Sequence, residues 1–274
     1  MKNIRFLIIF LIAALAGESA YSQAMSGVIQ YEEKVNQHLL IPPGMDQMKN
    51  FIDQYSSTFF RLYFDPSSSL YKAFEEDQPV ADPFAGGGQA GGRGGRGGAG
   101  GGFRGRGGMF GISSTDNIIY TSTSDNTITA IMSLLGETYY MEDPIQISPW
   151  KFGPEKRTIL DFECSVAYYT DNSNPDKPLE ITAWYTTKIK PFVGPDRYNT
   201  LPGGILALDI NAGERYWVAR KIDLRDLTAE EKVAKPTAGK NDVATTYEEY
   251  LAKQQEQNAQ MMNRFQGGGG RRGQ

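Results

Sequence analysis

Covalent or acid–base chemistry in this chain would have to start from very few residues. The 274 positions hold one cysteine, Cys164, and one histidine, His38. A thiolate nucleophile needs a base within hydrogen-bond reach, and these two lie in separate parts of the chain. Cys164 sits in a strand-like run between Phe162 and Val166, where a buried structural thiol is the expected state; an intermolecular disulfide is the alternative in an oxidising compartment. One cysteine excludes an internal disulfide framework and a thiolate zinc cluster, and one histidine excludes a multi-histidine metal site. No cofactor is expected.

Carboxylates cluster at Glu32-Glu33, Glu75-Glu76-Asp77 and Glu142-Asp143. Such groups do acid–base work or hold calcium only when folded together in a cleft. Neighbours along a strand point to opposite faces, so each pair is expected to be a solvated edge, and an enzyme with a carboxylate site is the least favoured reading. From Gly86 to Gly108 the chain is mostly glycine, with Arg93, Arg96, Arg104 and Arg106. Arg-Gly repeats serve RNA binding in other settings, yet here the chain is acidic, at −4, and a single Phe103 is interleaved; nucleic acid is not an expected partner. The glycines lack the strand before and the helix after that a phosphate-cradling loop requires. A third group, aromatic, includes Trp150, Phe162, Trp184, Tyr185 and Trp217. With Cys164 it is read as sheet core, or as the lining of a groove.

These residues need a scaffold, and the 15 Tyr and 14 Phe point to strands. Short β-type runs separated by Gly, Pro and Asn breakers recur along the chain. They cover Ser26 to Val35, Ser57 to Asp65, Ser68 to Glu76, 117–131, Ile145 to Phe152, Arg157 to Tyr169, Leu179 to Ile189, Gly204 to Ile210 and Arg215 to Ile222. Met45, Met48, Phe51, Ile52 and Tyr55 recur at helical spacing, which predicts a short amphipathic helix over residues 44–56. Glycine loses the most backbone entropy on ordering, so 83–111 is expected to be a disordered loop between two strands. Residues 231–274 read as a polar helical tail ending in glycine and arginine.

The chain opens with Lys2 and Arg5, then an apolar stretch from Phe6 to Ala16, then Ala20-Tyr21-Ser22. That order is the pattern of a cleaved signal peptide covering 1–22. The apolar stretch is well short of the ~20 residues that a spanning helix needs. A periplasmic location is expected, with outer-membrane association or secretion as alternatives, and a protein that spans no membrane after cleavage.

From Trp150 to Leu206 the sequence resembles the GLPGLI family of exported bacterial proteins. The signature segment corresponds to Thr200-Leu201-Pro202-Gly203-Gly204-Ile205-Leu206, preceded by Ala183-Trp184-Tyr185 and Gly194-Pro195; Gly27-Val28-Ile29-Gln30-Tyr31 matches the family's start. Thr200 replaces the first signature glycine and Gly204 its second leucine. The resemblance implies an exported, β-rich protein of unknown biochemical activity, often a companion of outer-membrane β-barrel receptors, and carries over no catalytic residues.

The expectation is therefore a mainly β domain over 23–230, a curved antiparallel sheet or incomplete β-barrel with one short helix packed on it and a peripheral C-terminal helix. It is expected to be a non-enzymatic accessory protein beside an outer-membrane barrel or receptor, with Gly194, Pro195, Leu201, Pro202, Gly203, Gly204 and Ile205 as the contact region. The alternative is a periplasmic carrier that holds lipid or a lipoprotein segment in a concave sheet face.

Overall fold

The computed structural model describes residues 25–41, 44–74, 117–174 and 177–267, with side chains to residue 260. The expected signal peptide and the Gly/Arg loop lie outside the described residues. Twelve strands form one sheet: β1 (Gly27–Asn36), β2 (Tyr55–Phe64), β3 (Ser68–Ala73), β4 (Ile118–Ser122), β5 (Thr127–Leu134), β6 (Glu137–Pro144), β7 (Lys151–Ile159), β8 (Phe162–Asp171), β9 (Leu179–Thr186), β10 (Gly204–Ile210), β11 (Arg215–Asp223) and β12 (Val243–Thr245). Helix α1 (Tyr247–Gly267) follows.

The strand order is β12-β6-β5-β4-β3-β2-β1-β11-β10-β9-β8-β7. It is two meanders, β1 to β6 and β7 to β11, zipped together where β1 pairs with β11. Within each meander every strand pairs with the next in sequence, and only the β1–β11 and β12–β6 pairings join strands that are not consecutive. The sheet is open: β7 and β12 are its two edges and do not pair. Among the described residues no helix is long and apolar enough to cross a membrane.

The inner face follows from register. Tyr31 stands opposite Phe60 on β2 and Ala219 on β11, and Ala183 stands opposite Leu208 on β10 and Ala167 on β8. All six are in the buried core. The β1–β6 wing of this face closes on the β9–β10 connection, residues 187–203. Ser69 of β3 donates to the Phe192 carbonyl at 3.5 Å, and Asn199 Nδ2 donates to Thr121 Oγ1 of β4 at 2.9 Å.

Turns use the chemistry that their geometry demands. Asp65 Oδ1 accepts from the backbone N–H of Ser67 at 2.9 Å and of Ser68 at 2.8 Å, fixing the expected β2–β3 turn. The run expected to be one strand from Arg157 to Tyr169 is instead a hairpin, because Leu160 and Asp161 both adopt positive φ, 46° and 67°. Two-residue hairpins need that left-handed pair, for which Asn-Gly is far better suited. Leu160→Asn combined with Asp161→Gly is therefore expected to stabilise the protein by about 1 kcal/mol, read as a shifted urea midpoint at unchanged slope.

Several expectations need correction. Residues 44–56 do not form an amphipathic helix packed on the sheet; only Asp46–Asn50 coils, as a 3-10 turn with no buried residue, and Phe51 is 87% exposed. None of the five apolar positions is buried, and short helices are not self-sustaining. Ile145 to Trp150 is irregular, and the strand precedes it as β6. The sheet is not wholly antiparallel, since β12 pairs with β6 in parallel. Finally, α1 is only partly peripheral. Thr246 and Glu249 form its capping box, with each backbone N–H at 3.2 Å from the other's side chain. Tyr250 on its first turn is 4% exposed in the core, against Tyr139 of β6.

The open edge at β7 is blunted. It carries Pro154, a bulge between Phe152 and Lys156, and the exposed Lys151 and Lys156. These are the devices that keep an edge from pairing with other chains.

Candidate functional site

The β9–β10 connection holds Gly194, Pro195, Leu201, Pro202 and Gly203 of the expected contact region, Gly204 and Ile205 open β10, and the segment is packed inside the sheet. Ile205 N–H donates to the Val193 carbonyl at 2.9 Å, and Gly204 N–H to the Ile189 carbonyl at 3.3 Å. Tyr31 on β1 reaches across to donate its hydroxyl to the Ile205 carbonyl at 2.6 Å. Ile189, Val193 and Ile205 are fully buried and Leu201 is 1% exposed. Of the expected contact region, Gly194, Pro195, Leu201, Gly203, Gly204 and Ile205 are buried; Pro202 alone is exposed. The segment is a plug for the inner face. Gly203 belongs to that packing, since a Cβ there would overlap the Thr186 carbonyl. At Gly204 it would come within 2.7 Å of the Ile189 side chain. Thr200, at the departure from the signature, has work of its own: its hydroxyl accepts from Trp150 Nε1 at 3.1 Å and from Ser148 N–H at 3.3 Å.

The aromatic residues divide into two places. At the β7–β9 wing, half-buried Trp150 packs on Tyr169 with ring centroids 5.5 Å apart, and Phe152, 61% exposed, meets the edge of Tyr185 at 6.0 Å. Trp184 lies beneath the Arg157 guanidinium at 4.2 Å, and Phe162 is half-buried near the hairpin. Trp217 is elsewhere, in the centre of the sheet and 1% exposed. The set therefore does not line one groove.

Cys164 is fully buried and reduced, with its thiol donating to the Phe162 carbonyl at 3.5 Å. Burial pushes its pKa up to about 11, against a smaller opposite pull from Arg157. His38 is engaged locally with the Ile52 carbonyl at 2.9 Å. A thiol so placed reacts slowly. Labelling of the native protein by a thiol-specific chromogen is expected to lag that of the urea-unfolded protein by at least about a hundredfold.

A polar cluster that the sequence reading did not anticipate lies around Trp217. Glu32 and Glu33, expected to be a solvated pair, are 6% and 1% exposed. They do point to opposite faces of β1, but β1 is the central strand and neither face is free. Glu32 holds Arg220, Lys34 and Ser57 on the outer face. Burial would raise its pKa, and those partners bring it below the ordinary value. Glu33 lies on the inner face and its Oε1 accepts from Arg215 Nε. Its second oxygen, Oε2, is buried and has no hydrogen-bond partner among the described residues. Burial raises its pKa, Arg215 opposes this, and the Asp196 charge adds to it.

Around this pair stand aromatic rings. The Arg215 guanidinium lies 4.6 Å over Trp217, whose Nε1 donates to the Tyr71 hydroxyl at 3.1 Å; Tyr198 packs on Trp217 at 6.4 Å. Burial raises the pKa values of Tyr71, Tyr198 and Tyr250, the last to about 12, and the charge of Asp196, held at φ 53° in the 187–203 connection, adds to each. The tail closes the far side. Arg197 stacks 3.9 Å over Tyr247, and Asp143 of β6 accepts from the Tyr247 N–H at 3.3 Å and pairs with Arg197 at 3.7 Å. The signal for Glu33 was present in the alternation: it falls in phase with Ile29, Tyr31 and Val35, the core-facing positions of β1. Nothing local marks Asp196, Tyr198 or Tyr247 as its neighbours. Among the described residues no group of His, Cys, Asp and Glu is arranged to hold a metal ion.

Fold and site together define a class: an open, mainly β, single-sheet protein wrapped around its own connection, with a buried charged cluster at the centre. No family model and no curated protein matches the chain. Solved structures of PNGF-II are similar in its C2 and P21 crystal forms, each 14% identical, with TM-scores of 0.49 and 0.45. The matches cover 84% of this chain and 33% of that one, so the chain spans about a third of its length.

Proposed function

We propose that the chain is an exported, non-enzymatic binding or accessory protein of the periplasm that acts beside an outer-membrane β-barrel or receptor. The observation that carries this reading is the filled inner face. The 187–203 connection and the first turn of α1 pack into it, and the centre holds Glu33, Arg215 and Asp196. A lipid carrier needs an apolar trough that a chain can enter. A face plugged by its own backbone and centred on an ion pair favours partner recognition over lipid transport. Export rests on the basic start, short apolar stretch and small residues of positions 1–22. The non-enzymatic reading draws on the buried thiol of Cys164 and the local engagement of His38.

The test is a pull-down of the tagged protein from detergent-solubilised envelopes, with mass spectrometry of proteins and lipids. A stoichiometric barrel or receptor is the expected result. Lipid without a protein partner would overturn the proposal in favour of the carrier, and an empty bait would overturn it outright.

A further inference from the structure

The β1–β2 connection is apolar sequence that the fold leaves outside its core. From Leu39 to Tyr55 no described apolar side chain is buried: Phe51 is 87% exposed, Leu39 58% and Tyr55 46%, and Met45, Met48 and Ile52 are half-buried. Single exposed apolar residues are ordinary, but a run of them marks a surface that meets something. Polar bonds tie the connection to the end of the sheet. Gln37 N–H donates to the Gln54 carbonyl at 2.8 Å, Gln37 Nε2 to Ser56 Oγ at 2.7 Å, and the His38 ring meets the Ile52 carbonyl at 2.9 Å.

The spacing says what kind of surface it meets. On a helix, Met45, Met48, Phe51 and Ile52 fall within an arc of about 120°, and Asp46, Gln47, Asn50 and Asp53 fall on the other side. In water that pattern reaches only the turn Asp46–Asn50, with the Met48 N–H on the Met45 carbonyl at 2.9 Å and the Phe51 N–H on the Met48 carbonyl at 3.0 Å. A helix this short does not hold by itself. At a lipid–water interface the apolar arc gains burial, and backbone groups that lose water must bond within the chain, so the turn extends.

The charges beside the connection complement a headgroup layer. A register shift between Gln30 and Tyr31 leaves Arg220 as an extra residue on β11. Arg220 bonds Glu32 and Lys221 stands opposite Gln30, so two consecutive cations share the outer face. Lys34 near the end of β1, Arg61 on β2 and Lys72, directly opposite Arg61 on β3, share it too. Against these five cations, the outer positions of β11, β1, β2 and β3 carry two carboxylates, Glu32 and Asp223. Arg61 stacks 4.0 Å over Phe74 and Lys72 lies 5.4 Å over Tyr63, with no ion pair to either among the described residues. The chain as a whole is acidic, at −4.

We propose that the β1–β2 connection docks on the surface of a phospholipid bilayer. Residues 45–53 complete an amphipathic helix in the interface plane, with Phe51 and Leu39 among the acyl chains, and the cations of the outer face lie over lipid phosphates. The inference shares with the reading above only the export of the chain, which brings it to an envelope membrane.

The test is sedimentation of the exported protein with vesicles, after intact mass verifies loss of residues 1–22, so that the apolar stretch 6–16 binds no lipid itself. One set of vesicles is phosphatidylethanolamine and phosphatidylglycerol in equal parts, the other phosphatidylcholine. Binding to both is expected, tighter to the first, and added salt should weaken only that difference. Phe51→Ser should weaken binding about tenfold or more at an unchanged unfolding midpoint, because the ring is exposed. Ile147→Ser should leave binding unchanged, since Ile147 is 65% exposed but follows β6 at the opposite end of the sheet. Amide exchange over residues 44–54 should slow when vesicles are added. Absence of sedimentation, Phe51→Ser binding like the parent, or unchanged exchange over 44–54 would each overturn the inference. Loss of the partner from the envelope pull-down in Phe51→Ser, without vesicle binding by the parent, would overturn it by giving this surface to a protein. The pull-down is done in detergent, without a bilayer, so vesicle binding beside an empty bait would keep this inference and sink the accessory reading alone.

Discussion

Replacing Arg215 by methionine is expected to lower the free energy of unfolding by about 3–5 kcal/mol, the usual result of removing one member of a buried ion pair. The reason is what stays behind. Glu33 is 1% exposed and its pKa is already raised by burial with Arg215 in place; without the guanidinium, the Asp196 charge acts on it unopposed. The deficit should depend on pH in a definite direction. A carboxylate whose folded pKa lies above its unfolded value keeps its proton in the folded state while the unfolded chain releases one. Stability relative to the parent is then intact below about pH 4 and falls as the pH rises through the raised folded value. Urea unfolding of Arg215→Met at pH 4 and pH 8 checks this, with the larger loss expected at pH 8. The double variant Glu33→Gln, Arg215→Met should recover much of the loss, because the uncompensated charge is gone. A loss below about 1 kcal/mol at pH 8, or one that grows on acidification, would contradict a buried pair.

The second large effect concerns the segment that corresponds to the signature. Leu201→Ala is expected to destabilise the protein by about 2–5 kcal/mol, since Leu201 is 1% exposed in the core of the plug. Pro202→Ala, one position on and exposed, should change stability by about 0.5 kcal/mol or less. A contact surface would behave the other way round, with neighbours alike in stability and unlike in partner capture. Thermal unfolding of the two variants, beside the envelope pull-down, distinguishes these behaviours. Equal and small stability changes would mean that the 187–203 connection does not fill the inner face in solution.

Much of the architecture was legible because strands announce themselves locally. The alternation in Gly27–Asn36, the β-branched run in Gly204–Ile210 and the Asp65 turn each specify themselves within about ten residues. The errors share one cause. The apolar spacing of residues 44–56 is helical, but none of its apolar residues reaches the buried core. Arg157 to Tyr169 reads as one strand because Leu160 carries no turn signature, although its backbone adopts φ 46°.

The candidate site was barely legible. Trp217 and the 187–203 segment stood out in the sequence, but the segment was read as surface because glycine and proline usually mark exposed turns. Its burial depends on Thr121 and Ser69 from the other meander, which bind Asn199 and Phe192.

By itself, then, the sequence determined the class of fold, the positions of most strands and the internal place of Cys164, because propensity, alternation and turn chemistry act over short distances. Tertiary structure alone decided which charges are buried together. Glu33 meets Arg215 only because β1 pairs with β11, and Asp196 and Tyr247 join them only because a connection and a tail fold onto the same face. Those pairings span most of the chain, and no local preference encodes them; they follow from closing one open sheet around the apolar side chains of its own β9–β10 connection.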